Sequence, residues 1–484
     1  MKISELIFEK EIIYSTADLS LEITDISREG GRISRKTLLF VLKNNTVLDF
    51  SDGKTLPCAV VSDGLIEGIP DVPQIIVDNP REIYANAYSR FFGVDFSKFS
   101  VIGVTGTNGK TTTASLIAHI LRENGHKVGY FGTGRIDIDG ELLSDKYYSM
   151  TTPDPELLYL YLKRMELSSC SYVVMEVSSH SLALEKVSPI PFEYAVFTNL
   201  SEEHLDFHGT MEEYYLSKKK LVEGAKNAVI NLDDAYGRRL VGEISGRCVT
   251  VGALYSADIN AREVENLGFG GIRYIYKAKK FLFRMSSPLA GIYNVYNTML
   301  AAAACTDIGI LPYRVKECIA DFSGVAGRFE IIRDKITVII DYAHTEKAFT
   351  SVLKSIRSAM TAKGRLTVVF GCGGERDREK RPKMARAAEA YADKTVVTED
   401  NSRGEDTMDI IFEVASGFSG DAFEICRDRE RAIEMAILEA ADGDTVAILG
   451  KGAEGYLIDK DGYTDYSERG VVLCALKKRG ERTK

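Results

Sequence analysis

Lys110 and Thr111 follow directly on a glycine turn, Gly106-Thr107-Asn108-Gly109, and lead through Thr112 into an apolar series at Ala114, Ile117, Ala118 and Leu121. That series has helical spacing, and Val101, Ile102 and Val104 ahead of the turn have the composition of a buried strand. Strand, glycine turn and helix in this order build a cradle for a triphosphate. Backbone N–H groups and the helix N-terminus converge on phosphate oxygens, the lysine reaches the outer phosphates, and the threonine hydroxyl can meet Mg²⁺. Position 104 holds valine where the strict GxxxxGK[ST] pattern has glycine, so the assignment rests on the order of elements. The competing reading is an ordinary glycine-rich turn with a surface lysine. Three further groups have suitable chemistry. Glu176 ends an apolar run in VVMEVSSH, where a carboxylate can face a metal beside a nucleotide. His204 and Asp206 lie in FTNLSEEHLDFHG, and Lys218 follows on a helical stretch. Taken alone, such a histidine is more often a packing residue, and a lysine repels metal ions.

These groups need a sheet to hold them. From 98 to about 327, apolar runs at Tyr172–Val177, Tyr194–Thr198, Ala228–Asn231 and Val249–Val251 alternate with helical stretches, the pattern of a largely parallel sheet covered by helices. Between about 260 and 290, Tyr274, Tyr276, Phe281, Phe283 and Met285 alternate with polar neighbours, which predicts a small antiparallel insert whose aromatics pack a core. A further αβ unit starts near Arg328. Its runs are Ile336–Ile340, Leu366–Phe370, Thr395–Thr398 and Thr445–Leu449, and they end in DYAH (341–344), GCGGER (371–376), DNSR (400–403) and GKGAE (450–454). Ligands bind beyond the carboxyl ends of strands in open parallel sheets, so four such ends rich in glycine and charge predict a second binding surface. Residues 1 to about 97 read as a small mixed domain, with runs at Leu38–Leu42, Ala59–Val61 and Ile75–Val77, a helix over Arg81–Phe92 and no evident chemistry.

The 484 residues suffice for about three domains. A net charge of −9, from 61 basic and 70 acidic residues, with no basic stripe among aromatics, argues against nucleic acid as a partner. No run approaches the ~20 apolar residues of a membrane span. The opening MKISELIFEKEIIYS is interrupted by Glu5, Glu9, Lys10 and Glu11, unlike a secretory leader. A soluble, cytoplasmic monomer acting on small molecules is expected. The 8 cysteines form no CxxC pair, which favours free thiols over a disulfide framework or a zinc site. The residues by themselves support an ATP-dependent, magnesium-requiring enzyme and leave its substrate open.

Taken together, the motifs carry a resemblance. TGTNGKTTT, Thr151-Thr152-Pro153, MEVSSHSL, FTNLSEEHLDFHGTMEEYYLSK, GIYNVYN, GRFE, DYAHT, GCGGERDREKRP and GKGAEGY are similar, in order and spacing, to the Mur ligase family. The match runs from about residue 98 to the C-terminus and falls nearest the branch that adds the third peptide residue of the peptidoglycan precursor. The resemblance implies an α/β fold of three domains: an N-terminal UDP-sugar-binding domain over 1–97, a central ATP-binding domain over 98–327 with a P-loop on a parallel sheet, and a Rossmann-like domain over 328–484 for the amino acid. It implies an ATP-dependent amide ligase. ATP phosphorylates the D-glutamyl carboxylate of a UDP-muramoyl dipeptide, the amine of a free amino acid attacks the acyl phosphate, and phosphate leaves. Gly106, Thr107, Asn108, Gly109, Lys110, Thr111, Thr112, Asn294, Arg328 and Asp341 are the implied nucleotide contacts. Thr111 and Glu176 would ligate one Mg²⁺. Lys218 matches a lysine that CO₂ converts to an anionic carbamate, which with His204 would support a second Mg²⁺. Lys110, Glu176, His204 and Lys218 are the implied catalytic set. Thr151, Thr152, Ser178 and Lys186 would meet the UDP-muramoyl substrate, and Arg376, Asp400, Asn401, Arg403, Gly450 and Glu454 the incoming amino acid.

Members of the family that add meso-diaminopimelate typically carry Asp-Asn-Pro-Arg, whose arginine fork suits the distal carboxylate. Asp400-Asn401-Ser402-Arg403 keeps that arginine, so diaminopimelate is expected over L-lysine. Several positions depart from the pattern. Leu184 and Lys186 stand where glutamine and arginine are usual, and Ala453 where histidine is common. The family's Asp-Ser-Arg, counted back from Leu39-Phe40, falls on Gly30-Gly31-Arg32, with Ser27-Arg28 upstream in another register. A paralogous ligase with another carboxylate substrate, such as a folate polyglutamylating enzyme, and a non-catalytic ATP-binding relative are the alternatives.

Overall fold

A computed structural model describes residues 1–29, 33–42, 55–69, 72–143, 150–360 and 363–482. The apolar runs fold into three main sheets. The first holds β1 (Ile12–Ser15), β2 (Asp25–Ser27), β3 (Thr37–Phe40), β4 (Ala59–Ser62) and β5 (Gln74–Val77) in the order β1-β5-β4-β3-β2. β2 to β5 run parallel, and β1 closes one edge antiparallel to β5. β3 and β4 are buried at every position, as expected of parallel strands covered on both faces. One cover is the Pro80–Phe92 helix, which starts with an Asn79 cap on Glu82 N and packs the Tyr84 ring 5.1 Å from Phe40.

The second sheet contains β6 (Ser100–Thr105), β7 (Val128–Gly132), β8 (Arg135–Ile138), β9 (Glu141–Leu142), β10 (Tyr172–Glu176), β11 (Phe192–Phe197), β12 (Asn227–Asn231), β13 (Arg247–Gly252), β14 (Ile259–Asn266), β15 (Ile272–Ala278) and β16 (Leu282–Ser287). Their order is β16-β15-β14-β13-β12-β11-β6-β10-β7-β8-β9. β6 lies between β10 and β11, parallel to both, with Val104 opposite Glu176 and Thr105 opposite Phe197. The phosphate turn and Glu176 therefore emerge side by side at one end of the sheet. The Lys110–Glu123 helix leaves that turn and buries Ala114, Ile117, Ala118 and Leu121 in a core shared with the Asn294–Ile308 helix. The antiparallel segment near 260–290 is continuous with this sheet, because β14 pairs parallel with β13 before β15 and β16 turn back. Tyr274, Tyr276 and Met285 are core residues, whereas Phe281 is exposed.

The third sheet has β17 (Glu330–Arg333), β18 (Thr337–Asp341), β19 (Leu366–Phe370), β20 (Lys394–Val397), β21 (Phe423–Ile425) and β22 (Thr445–Leu449) in the order β17-β18-β22-β19-β20-β21. All pairs but β17–β18 are parallel, so the four charged and glycine-rich segments read from the sequence leave adjacent strand ends on one edge. A hairpin of β23 (Tyr456–Asp459) and β24 (Gly462–Asp465) follows. Behind these ends Arg429 is fully buried against Glu468, with Nε and Nη2 each 2.8 Å from a carboxylate oxygen. Its remaining N–H groups donate to Leu449 O at 3.1 Å and Glu399 O at 3.2 Å, which ties the ends of β22 and β20 together. Among the described residues no helix is long and apolar enough to cross a membrane.

Candidate active site

The turn after β6 is built for close approach. Gly106 has φ +144°, and a Cβ there would lie 1.9 Å from Thr198 Oγ1. Gly109 has φ +84°, and its Cβ would meet Asn297 Oδ1 at 2.3 Å. Only glycine fits either position without displacing its neighbours. Side chains after β11 lace the turn in place: Asn108 N donates to Asn199 Oδ1 at 3.0 Å and Thr198 Oγ1 to Asn108 O at 2.7 Å. Thr107 Oγ1 lies 3.1 Å from the Tyr214 hydroxyl. Lys110 Nζ folds over the turn and donates to Gly106 O at 3.0 Å and Thr107 O at 2.8 Å. Thr112 is half-buried in the first turn of the helix.

Glu176 is fully buried and is the meeting point of four segments. Its Oε2 accepts from Thr111 Oγ1 at 2.9 Å and its Oε1 from Thr133 N at 2.9 Å, while the Tyr130 hydroxyl stands 3.5 Å away. Thr133 Oγ1 is 3.0 Å from Thr151 Oγ1, and Thr152 Oγ1 donates to the Glu176 carbonyl at 3.0 Å and receives Ser178 N at 3.1 Å. Thr111 thus meets the Glu176 carboxylate, Thr152 its carbonyl with Ser178 behind, and Thr151 is reached through Thr133. Thr133, which the sequence reading passed over, links Glu176 to Thr151.

Lys218 is buried and donates to Gly106 O at 2.8 Å, so it shares a carbonyl with Lys110. Burial and the adjacent Lys110 charge hold its ammonium well below the usual lysine range, against an opposing pull from Glu203. His204 adopts a left-handed backbone (φ 57°), half exposed, 6.2 Å from the Tyr214 ring on whose face Lys218 Nζ sits at 4.8 Å. Burial lowers the His204 pKa; Glu203 opposes this, and the Lys110 and Lys218 charges lower it further. Among the described residues no cluster of three or more His, Cys, Asp or Glu could hold a metal by itself. Mg²⁺ seldom uses such a cage: it binds through one or two carboxylates together with phosphate oxygens and water. The hydroxyl of Thr111 and the buried carboxylate of Glu176 fit that need.

Toward the third sheet, Thr111, Thr133, Arg328, Tyr342 and Glu454 border one cavity of about 540 Å³. The Arg328 guanidinium lies 4.5 Å from the Tyr342 ring centroid. Asp341 is buried, and its oxygens accept from Phe329 N at 2.6 Å and Ala343 N at 2.8 Å. Burial raises its pKa against the pull of Arg328. Asn294 does not face open space: its amide donates to Ala290 O at 2.8 Å and accepts from Asn297 Nδ2 at 2.8 Å. Through Asn297, which abuts Gly109, it supports the phosphate turn from behind.

On the edge of the third sheet Asp400, Asn401 and Glu454 surround the buried ammonium of Lys451, a residue the sequence reading gave no role, and Gly450 precedes it, its backbone turned toward Asp400 Oδ2. Asn401 Nδ2 donates to Glu454 Oε2 at 3.0 Å, and Ile458 N to Asn401 Oδ1 at 3.0 Å. Burial raises the Asp400 pKa, but Lys451 and Arg429 outweigh it and keep the carboxylate charged. Arg403 has a left-handed backbone (φ 52°), and Nη1 donates to Gly374 O at 2.8 Å and Asn401 O at 3.2 Å. Its Nε and Nη2 have no partner among the described residues. Arg376 is exposed, and among the described residues its side chain donates only to the neighbouring Glu375 carbonyl, at 3.4 Å. Fully buried Arg381 donates to Glu405 at 3.0 Å and to Gly373 O at 3.3 Å, and so joins the loops after β19 and β20.

Near the first sheet Asp154 is shared by Lys186 at 2.6 Å and Arg28 at 2.7 Å. Gly30, Gly31 and Arg32 lie outside the described residues; Ser27 pairs with Leu39, and Arg28 projects from the end of β2 onto the second domain's residues.

Fold and site define a phosphate-loop α/β enzyme with charged clusters at the strand ends of two largely parallel sheets. The chain belongs to the Mur ligase family: the family's middle domain matches residues 104–305, and the family described as Mur ligase, glutamate ligase domain, matches 327–452. It is 36% identical over 479 residues to the UDP-N-acetylmuramoyl-L-alanyl-D-glutamate–2,6-diaminopimelate ligase of Geobacillus thermodenitrificans, covering 95% of this chain and 96% of that one. The enzyme of the same name from Aquifex aeolicus is 42% identical over 408 residues, 83% of this chain and 82% of its own. A solved structure with that enzyme name superposes at TM-score 0.68 and 26% identity, covering 99% of both chains. Folylpolyglutamate synthase of Mycobacterium tuberculosis shares the fold at TM-score 0.63 and 18% identity, over 76% of this chain and 91% of that one.

Proposed function

We propose that this chain joins meso-diaminopimelate to UDP-N-acetylmuramoyl-L-alanyl-D-glutamate, with ATP as the energy source. The observation that carries the choice of amino acid is Arg403: its Nε and Nη2 have no partner among the described residues, and its Nη1 is tied to the carbonyl of Asn401, which follows Asp400 and whose amide holds Glu454, so one loop offers donors for a distal carboxylate together with acceptors for a distal ammonium. Full-length likeness to relatives named for this reaction supports it. L-Lysine would leave the arginine without a partner. In this reading residues 1–97 hold the UDP-sugar, 98–327 the ATP and 328–484 the amino acid, in a cytoplasmic monomer.

A carboxylate resists attack by an amine until its oxygen is made a leaving group, and phosphorylation by ATP does this. Lys110 holds the outer phosphates as charge moves onto them, and the N–H groups of the Gly106–Gly109 turn fix their position. Thr151, Thr152, Ser178 and Lys186 orient the UDP-muramoyl substrate so that its carboxylate oxygen faces the terminal phosphorus. Asn294 supports the turn, and Arg328 and Asp341 hold the nucleoside side. Mg²⁺, when bound through Thr111 and Glu176 and through His204 with a carbamylated Lys218, would neutralise phosphate charge. The lowered pKa of Lys218 leaves an amine whose nitrogen pair attacks CO₂ and whose proton passes to water, giving a carbamate anion. Asp400, Asn401, Arg403, Gly450 and Glu454, with Arg376 at the rim, aim the incoming amine at the acyl phosphate; its attack forms the amide and expels phosphate.

Phosphate release from ATP in the presence of the UDP-muramoyl dipeptide, compared among meso-diaminopimelate, L-lysine and no amino acid, tests this. Release dependent on diaminopimelate is expected. Release with lysine instead would replace the amino acid, and silence with both would replace the carboxylate substrate.

A further inference from the structure

Lys451 follows the end of β22 in the third sheet with no exposed side-chain surface. A lysine enclosed to that degree must find partners for its charge. It has three: Nζ donates to Asn401 Oδ1 at 2.9 Å, Glu454 Oε2 at 3.1 Å and Asp400 Oδ1 at 3.4 Å. An ammonium has three N–H bonds, so none remains for a ligand. What matters is what the acceptors keep. Asp400 Oδ1 also receives Asn401 N at 2.7 Å, whereas Oδ2 has no hydrogen bond among the described residues. Glu454 Oε2 also receives Asn401 Nδ2, whereas among the described residues Oε1 has only the Tyr342 hydroxyl, at 3.5 Å. Each carboxylate gives Lys451 one oxygen and keeps one for the pocket. The three charges sum to a single negative one.

We propose that Lys451 sets the amino-acid selectivity of this pocket: by balancing one of its two carboxylates it leaves one negative charge, matched to the single distal ammonium of a zwitterion whose carboxylate Arg403 takes. The inference rests on reading this pocket as the site of the incoming amino acid. Without Lys451 the pair Asp400 and Glu454 becomes doubly negative. That favours a purely cationic end, such as that of L-lysine, over an end that also carries a carboxylate. Lys451 touches no substrate in this scheme and is a positioning residue.

Steady-state phosphate release with meso-diaminopimelate and with L-lysine, for the unaltered chain, Lys451→Met and Lys451→Met/Glu454→Gln, tests it. In the single variant KM for diaminopimelate should rise about ten-fold or more while kcat stays within about three-fold, and the kcat/KM ratio of diaminopimelate to lysine should fall about ten-fold. The double variant restores one net negative charge. Its ratio should recover at least about three-fold, with KM for diaminopimelate still raised, a recovery that loss of packing alone would not produce. An unchanged ratio in the single variant, or none recovered in the double, overturns the inference. An unchanged Kd for ATP shows that each variant is folded. Should Lys451→Met not fold, Lys451→Gln and the double variant carry the comparison, and failure of all three to fold overturns it in favour of a structural role. Absence of turnover with either amino acid in the unaltered chain refutes the pocket reading instead.

Discussion

Lys110 and Lys218 donate to the same carbonyl, Gly106 O, at 3.0 and 2.8 Å, so two lysine side chains converge where phosphate oxygens are proposed to sit. Lys110 was legible in GKT after a strand, and Lys218 only through the family resemblance of FTNLSEEHLDFHGTMEEYYLSK. Their convergence was not, since 108 residues separate them (218 − 110) and only the packing of the Met211–Gly224 helix on the sheet joins them. The lowered pKa of Lys218 has a sign that can be tested. Between the folded value and the ordinary lysine value of about 10.4, the unfolded chain holds a proton that the folded chain lacks, so stability rises with pH. In CO₂-free buffer, Lys218→Met should therefore melt above the unaltered chain at pH 7, with the gap closing toward pH 10; equal gaps at both would show an ordinary charged lysine. If the carbamate is needed, Lys218→Ala should lose about a hundred-fold or more in kcat and regain part with added acetate. Full activity without acetate would remove that role.

Elements were easiest to read where apolar runs were long and ended in glycine or charge. β18, β19, β20 and β22 were placed within a residue or two, and with them the edge that carries Asp400, Arg403 and Glu454. β7 to β9 went unread because Val-Gly-Tyr-Phe-Gly has two glycines where strand signals need side chains, and Thr133, the partner of Glu176, follows it. The Arg429–Glu468 pair was invisible for another reason: no short motif marks an arginine on one helix as the clasp between two strand ends. Removing one member strands the other's charge inside the protein. Arg429→Ala should cost about 3–5 kcal/mol in denaturant unfolding, whereas Arg429→Met with Glu468→Leu should recover most of it. Equal losses in single and double variants would mean that the hydrogen bonds to Glu399 O and Leu449 O, rather than the charges, hold the edge.

At the scale of the whole molecule, Asp154 stands between Arg28 of the first sheet's unit and Lys186 of the second, two cations that repel once it is gone. Asp154→Ala should raise KM for the UDP-muramoyl dipeptide several-fold and leave KM for the amino acid unchanged. A parallel rise in both would point to general unfolding. This junction escaped the sequence reading because counting along the chain set the N-terminal pattern on residues 30–32, whereas strand pairing aligns Ser27 with Leu39. One local conformation also bears on how such a chain can change over generations. Arg403 holds its backbone at φ 52°, where a side chain with a Cβ costs about 1–2 kcal/mol and glycine or asparagine costs less. A population selected only for survival of heat would drift toward those residues and discard the fork proposed to distinguish one amino acid from another. A residue proposed to make the product right is, to a purely thermal selection, a flaw awaiting repair.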